Sequence, residues 1–252
     1  MEHFVKPDSI VREIWGKSDT VLFIFAGASA EFALNKAVDW LYFTGRLPAD
    51  PLGRLFSTVA YARMIIFADH DAAIKAIDQI TAIHHQVEEN RGAKIPDWAY
   101  RDVLFLLIDY SIRSFEALER KLTDWEKGEV FDVFYRVGNR MGIAGLPKTY
   151  PEWLAVRGEH LQQNLRYSKF TADLYLQYKK HLGLIRYMLL IQVQLLIVPE
   201  KVKQLLNIRQ PIYIKPILAA YKLTRLIGID RILKAAMLPA EYKAQILELD
   251  IK

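Results

Sequence analysis

The sequence predicts an all-α protein, and three observations carry that expectation. Apolar residues recur at helical spacing through most of its 252 residues. Strand-like alternation and hairpin dipeptides are absent. Proline, glycine and capping residues punctuate the chain at the intervals expected of helix ends. The expected architecture is a single multi-helix domain over 1–252. The last forty residues are less periodic and read as wrapping the core rather than forming it.

The elements follow in order. Asp8 is read as the cap of a short helix ending at Trp15. Ser18-Asp19 opens a long apolar helix reaching about Phe43. Asp50 caps the next, with Pro51 at its first position, and that helix runs to about Phe67. Asp71 begins another, stopped by Asn90-Arg91-Gly92. Pro96-Asp97 opens a helix to near Leu122, and Thr123-Asp124-Trp125-Glu126 has the pattern of a capping box. Gly142 and Gly145-Leu146-Pro147 interrupt. Thr149-Tyr150-Pro151-Glu152 then starts a helix to about Leu165. Further helices are expected at about 171–181, 184–196, 200–206, 217–227, 230–236 and 241–249, with Pro199, Pro211, Pro216 and Pro239 at the joints.

Composition narrows the function classes. Hydrophobic residues make up 52% and charged residues 25%, as in a soluble globular protein. A chain of this length buries a full core without disulfides. There is no cysteine, so thiolate metal sites, cysteine nucleophiles and thiolate-ligated haem are excluded. The net charge is +5, with scattered basic residues that suit a solvated surface or a weak peripheral contact with anionic lipid or an acidic partner. No nucleic-acid-binding signature is present. The N-terminus lacks the pattern of a secretory signal. The runs Val21–Ala30 and Met188–Val198 fall short of the ~18 uncharged residues of a membrane span. A cytoplasmic protein, with or without membrane association, is the expectation.

Two neighbouring helices carry the candidate chemistry. On the helix from Asp71, Ala73, Ile77, Ile80 and Val87 form an apolar stripe, and His84 falls on it. His85 lies about 100° further round. An inward imidazole donates from one nitrogen and is free to coordinate a metal with the other. A core histidine bonded to a carbonyl fits the same pattern. On the preceding helix, Arg54, Thr58 and Tyr61 share a face, with Ser57 beside them. The arginine suits bidentate pairing with a carboxylate; a solvated face with an intrahelical bond is the alternative. His84 with Glu88 at i+4 is compatible with a carboxylate-bridged metal, but the two Glu-x-x-His elements of helical di-iron bundles are missing. Zinc-protease, hydrolase, P-loop and dinucleotide motifs are also missing.

The order of motifs resembles the MpaB and latex-clearing-protein (rubber oxygenase) family. The likeness runs through Asp8-Ser9-Ile10-Val11-Arg12, Asp50-Pro51-x-x-Arg54-Leu55-x-x-Thr58 and His84-x-x-Val87. It continues in Leu146-Pro147-x-Thr149-x-x-Glu152, His181-Leu182-Gly183-x-x-Arg186-Tyr187 and Val198-Pro199-x-x-Val202. The resemblance implies a globin-like helical fold with a haem-binding core at about 8–206 and a C-terminal helical extension at 207–252, haem b as cofactor and His84 as the iron ligand. It also implies a pocket lined by Arg54, Ser57, Thr58 and Tyr61, with Arg54 and Thr58 as catalytic residues. The implied reaction is oxidation or cleavage of a C=C bond in a hydrophobic, isoprenoid or lipid-like substrate by O₂.

The sequence departs from the family pattern at three places. Ser57 stands where latex-clearing proteins have lysine. Thr44-Gly45 stand where many bacterial members have His-Ser. The stretch Val103–Leu107 lacks the histidine that many members carry. These departures keep a second reading open, a non-catalytic haem or lipid carrier on the same fold. Glu31 and Asp39 are further candidates for a distal carboxylate, and Val21–Leu34 and Leu189–Leu196 are candidate pocket walls; ordinary core is the alternative for both runs.

Overall fold

The computed structural model describes residues 2–45 and 49–208 and residues 213, 214, 216, 218, 219, 221 and 222; at 52, 55 and 56 it describes the backbone alone. Among the described residues there are ten α-helices and no strand. They are α1 Ile10–Trp15, α2 Ser18–Leu34, α3 Val38–Phe43, α4 Pro51–Phe67, α5 His70–Arg91, α6 Asp97–Leu118, α7 Asp124–Arg140, α8 Tyr150–Gln163, α9 Lys169–Ile197 and α10 Glu200–Leu206. The all-α expectation is borne out. The helices expected at 230–236 and 241–249, and most of the one at 217–227, lie outside the described residues.

Local signals set most helix ends. Asp50 accepts from the Gly53 amide at 2.8 Å, and Pro51 opens α4. The Thr123–Glu126 capping box is formed as expected. The Arg120 guanidinium, bonded to Glu126, holds that carboxyl down at about 2. Gly92 ends α5 in the left-handed conformation, φ 66°, which a Cβ would strain. Three helix ends differ from the expectation, two by one or two residues and one by four. Ser9 rather than Asp8 caps α1, Asp69 rather than Asp71 caps α5, and α6 stops at Leu118 rather than Leu122.

The larger correction concerns the helix expected from Ser18 to Phe43. It breaks at Asn35, which is extended (φ −66°, ψ 137°). Tertiary bonds hold the break open. The Asn35 amide nitrogen donates to Asp102 Oδ2 at 2.8 Å, and its Oδ1 accepts from the Ala37 amide at 2.8 Å. Asp102 also meets His160 Nδ1 and accepts from Asn164. One buried carboxylate thus ties the end of α2 to α6 and α8. The helices expected at 171–181 and 184–196 meet end to end in α9, bent at Gly183 (φ 71°, ψ 172°).

α2 is the central element. It is apolar almost all round, as a helix enclosed by others must be. It packs most extensively on α6 and next on α9, with α1 and α10 against its remaining faces. Gly27 permits the closest approach, because a Cβ there would sit 2.2 Å from Tyr110 Cδ1 of α6. Both candidate pocket walls prove to be mainly core: Val21, Ile24, Ala30 and Leu34 are buried, as are Ile191 and Leu195.

A buried ionic network crosses this junction. Arg157 of α8 forms two bonds with Glu31 of α2, at 2.5 and 2.6 Å, and two with Asp109 of α6, at 3.1 and 2.9 Å. Tyr110 Oη donates to Glu31 Oε2 at 2.9 Å. Burial alone would lower the Arg157 pKa, but Glu31 and Asp109 raise it above the ordinary arginine value. Arg113 supplies a second cation to Asp109 at 2.7 Å. Removing one partner of such a set leaves buried charge unpaired, which typically costs about 3–5 kcal/mol. Arg157→Leu is therefore expected to lower the unfolding free energy by ~3–5 kcal/mol, measured by urea denaturation.

Candidate functional site

The face shared by α4 and the C-terminal half of α5 brings the candidate residues together. α5 is buried through Ala73, Ala76 and Ile77, where it meets the main core. Beyond Ile80 the helix leaves that core, and Ile83 is 47% exposed. His84 therefore sits at the rim of the packed interior, half-buried, and not in the centre as its stripe alone implied. His85 is exposed, with Nδ1 3.3 Å from Glu88 Oε2.

His84 Nδ1 is buried and makes no hydrogen bond. The Ile80 carbonyl, one turn back, favours a proton on the ring without completing a bond to it. Burial pushes the imidazole below its ordinary pKa, and the Arg54 charge pushes it further; Ile80 and Glu88 oppose this more weakly. The ring is thus held neutral near pH 7, the form that coordinates metals. The edge of Tyr100 from α6 packs on it, ring centroids 5.2 Å apart at 81°.

Arg54 is half-buried and pinned by its own helix. Its Nη1 donates to Thr58 Oγ1 at 2.9 Å and to Ser57 Oγ at 3.1 Å. Both hydroxyls face the Arg54 carbonyl, at 2.7 Å from Ser57 and 3.3 Å from Thr58. The intrahelical hydroxyl bonds of the bland reading therefore exist, and they also orient the guanidinium. Ser57 is exposed; Thr58 and Tyr61 are half-buried. The arrangement joins a neutral imidazole to a fixed cation. It sets a guanidinium and an imidazole near enough for the charge of one to act on the other.

Two residues near His84 were not singled out together by the motif reading. Tyr100 donates to Glu88 Oε1 at 3.1 Å, and the same oxygen accepts from the Ile95 amide at 2.8 Å. Glu88 thus closes the α5–α6 turn and holds Tyr100 against the histidine. The i+4 spacing of Glu88 from His84 was legible, but its partner lies across a turn. Among the described residues no three or more His, Asp or Glu side chains converge as a metal-binding group, so the carboxylate-bridged reading of His84 and Glu88 finds no support there. The two candidate distal carboxylates are engaged elsewhere. Glu31 is sealed against Arg157, and Asp39 pairs with Arg91 at 2.7 Å.

Residues 15–229 match the family described as ER-bound oxygenase mpaB/B'/Rubber oxygenase, catalytic domain. The match extends past Val202, where the motif likeness in the sequence ends. No curated protein and no solved structure matches the chain.

The proximity of Arg54 to His84 has a direct consequence. In the haem-free chain, His84 is expected to titrate below the ordinary histidine value, and Arg54→Gln should move it upward. Histidine ring signals followed by NMR through a pH series check both. Because the folded-state pKa is depressed, this histidine opposes folding once pH falls below its unfolded value.

Proposed function

Because the chain belongs to the family of mpaB and rubber oxygenase catalytic domains, we propose that it is a haem-dependent oxygenase acting on an unsaturated hydrophobic compound. An oxygenase-type activity on a small molecule with O₂ is what the family carries. The observation that supports the finer reading is the buried, unbonded Nδ1 of His84 beside Arg54. Metal-ligating histidines turn their second nitrogen toward a carbonyl or carboxylate, which fixes the ring. His84, with Ile80 one turn back, suits that role. A histidine-ligated haem supplies O₂ binding and redox chemistry.

The chain's own residues divide the remaining work. His84 would hold the iron. Arg54 would pair with a haem carboxylate, its guanidinium already oriented by Thr58 and Ser57. Tyr61, one turn beyond Thr58, would add an aromatic wall. Tyr100 and Glu88 would keep the imidazole from rotating. The exposed Ser57 is too short to reach across a distal site as a lysine would, so that side would be left open to O₂ and to an isoprenoid or lipid-like chain. That same feature favours the second reading, a haem or lipid carrier without turnover.

Hemin titration followed by UV–visible spectroscopy tests the first reading. The wild-type protein should take up one equivalent with a sharp Soret band, and His84→Ala should abolish it. A normal Soret band in the variant would overturn the assignment. Arg54→Ala removes a charge-assisted bond and should weaken haem retention roughly tenfold to a hundredfold. Haem-dependent formation of carbonyl products from an unsaturated isoprenoid under O₂ separates the oxygenase from the carrier.

A further inference from the structure

We propose that the bend of α9 is a lipid-docking surface that seats the protein on a bilayer containing anionic phospholipid. One face of α9 is covered: Leu174, Tyr178, Ile191, Gln194 and Leu195 are buried. The stretch around Gly183 is bare. Leu176, Leu184, Ile185 and Met188 are 65%, 60%, 72% and 49% exposed. A Cβ built on Gly183 would meet nothing within 4 Å, so the bend is open to its surroundings.

Charge gives this apolar tip its partner. From Leu174 to Pro199 the chain has no carboxylate, while Lys179, Lys180 and Arg186 flank the bend. Lys179 and Lys180 are exposed and Arg186 is half-buried. None of the three forms an ion pair among the described residues. Leu176 shares a helix row with Lys179 and Lys180, one turn away. Aliphatic side chains at an open bend, ringed by cations, fit the headgroup boundary of an anionic bilayer, where apolar burial and phosphate attraction add. A protein partner or a second copy would need a broader, flatter surface than a bend offers.

By length and composition α9 also suffices to cross a membrane. Its packing argues for contact at the interface instead. Gln194 donates to Ser29 Oγ of α2 at 3.2 Å and accepts from Tyr175 Oη at 3.0 Å, and Gly183 breaks the rod. The proposal is independent of haem loading.

Flotation of the purified full chain with vesicles of phosphatidylcholine, with and without phosphatidylserine, tests it. Binding should require phosphatidylserine and weaken with salt. Lys179→Gln with Lys180→Gln should reduce it roughly fivefold per cation removed. Leu184→Ser with Ile185→Ser should reduce it about tenfold or more. Trp125→Ser, which alters a side chain 75% exposed on α7, should leave binding unchanged. The altered side chains are exposed, so all variants should melt with the wild type. Equal binding to neutral vesicles, or full binding by both double variants, overturns the proposal. So does a lipid-free dimer that the Leu184→Ser/Ile185→Ser variant converts to monomer.

Discussion

Arg157 stands at the point where α2, α6 and α8 meet, and its guanidinium is shared between Glu31 and Asp109. Two carboxylates at this depth cannot remain charged and unpaired, nor a phenol unbonded, because each would lose its hydration without replacement. The three helices are therefore constrained to the one arrangement that brings four of the arginine's donor bonds into place. Gly27 adds a steric condition at the same junction, since α2 reaches Tyr110 only without a side chain there. Hydrophobic burial supplies the driving force, but it is tolerant of small rotations. The ionic network is not, and it fixes the rotation of α2 about its axis.

That fixed axis sets where the other helices go. Asn35 ends α2 on Asp102 of α6, and Asp102 in turn holds His160 and Asn164 of α8. α1 is anchored to the same helix through Trp15 Nε1, which donates to Ser111 at 3.1 Å. α4 and α5 are attached differently. They contribute Val59, Ile65, Ile66, Ala73, Ala76 and Ile77 to the core, from the C-terminal half of one helix and the N-terminal half of the other. Their remaining halves, which carry Arg54 and His84, stand free of the tightest packing. The candidate site thus sits on the part of the pair that lies outside the main core.

The elements that were legible in the sequence are those decided locally. Thr123 and Glu126 satisfy each other's amides three residues apart, and Asp50-Pro51 shapes its own first turn. The break at Asn35 was not legible, because its cause is a carboxylate 67 positions away. Arg157 escaped notice for the same reason: one arginine on an amphipathic helix reads as surface until its partners are known. Within the site, Arg54, Thr58 and His84 came from motif spacing. The stripe through His84 misled in one respect, since periodicity gives direction around a helix but not how far along it the core extends. Tyr100 needed the α5–α6 turn, where Glu88 reaches the Ile95 amide, before it could be set against the histidine.

The pairing of Arg54 with His84 connects two requirements of one ligand. A nearby cation penalises the protonated imidazole and so favours the neutral, coordinating form. The same cation is oriented by Thr58 and Ser57, and a guanidinium is the group suited to bidentate pairing with a carboxylate. A carboxylate arriving at Arg54 would cancel part of the field felt by His84 and make its nitrogen more basic. A ligand carrying both a metal and a carboxylate therefore meets a histidine kept deprotonated beforehand and a stronger donor once its carboxylate is paired. A metal ion alone would gain only the first effect, and a carboxylate alone only the contact with Arg54. On the proposed reading, Arg54 would thus favour a ligand that carries both a metal and a carboxylate over either part alone.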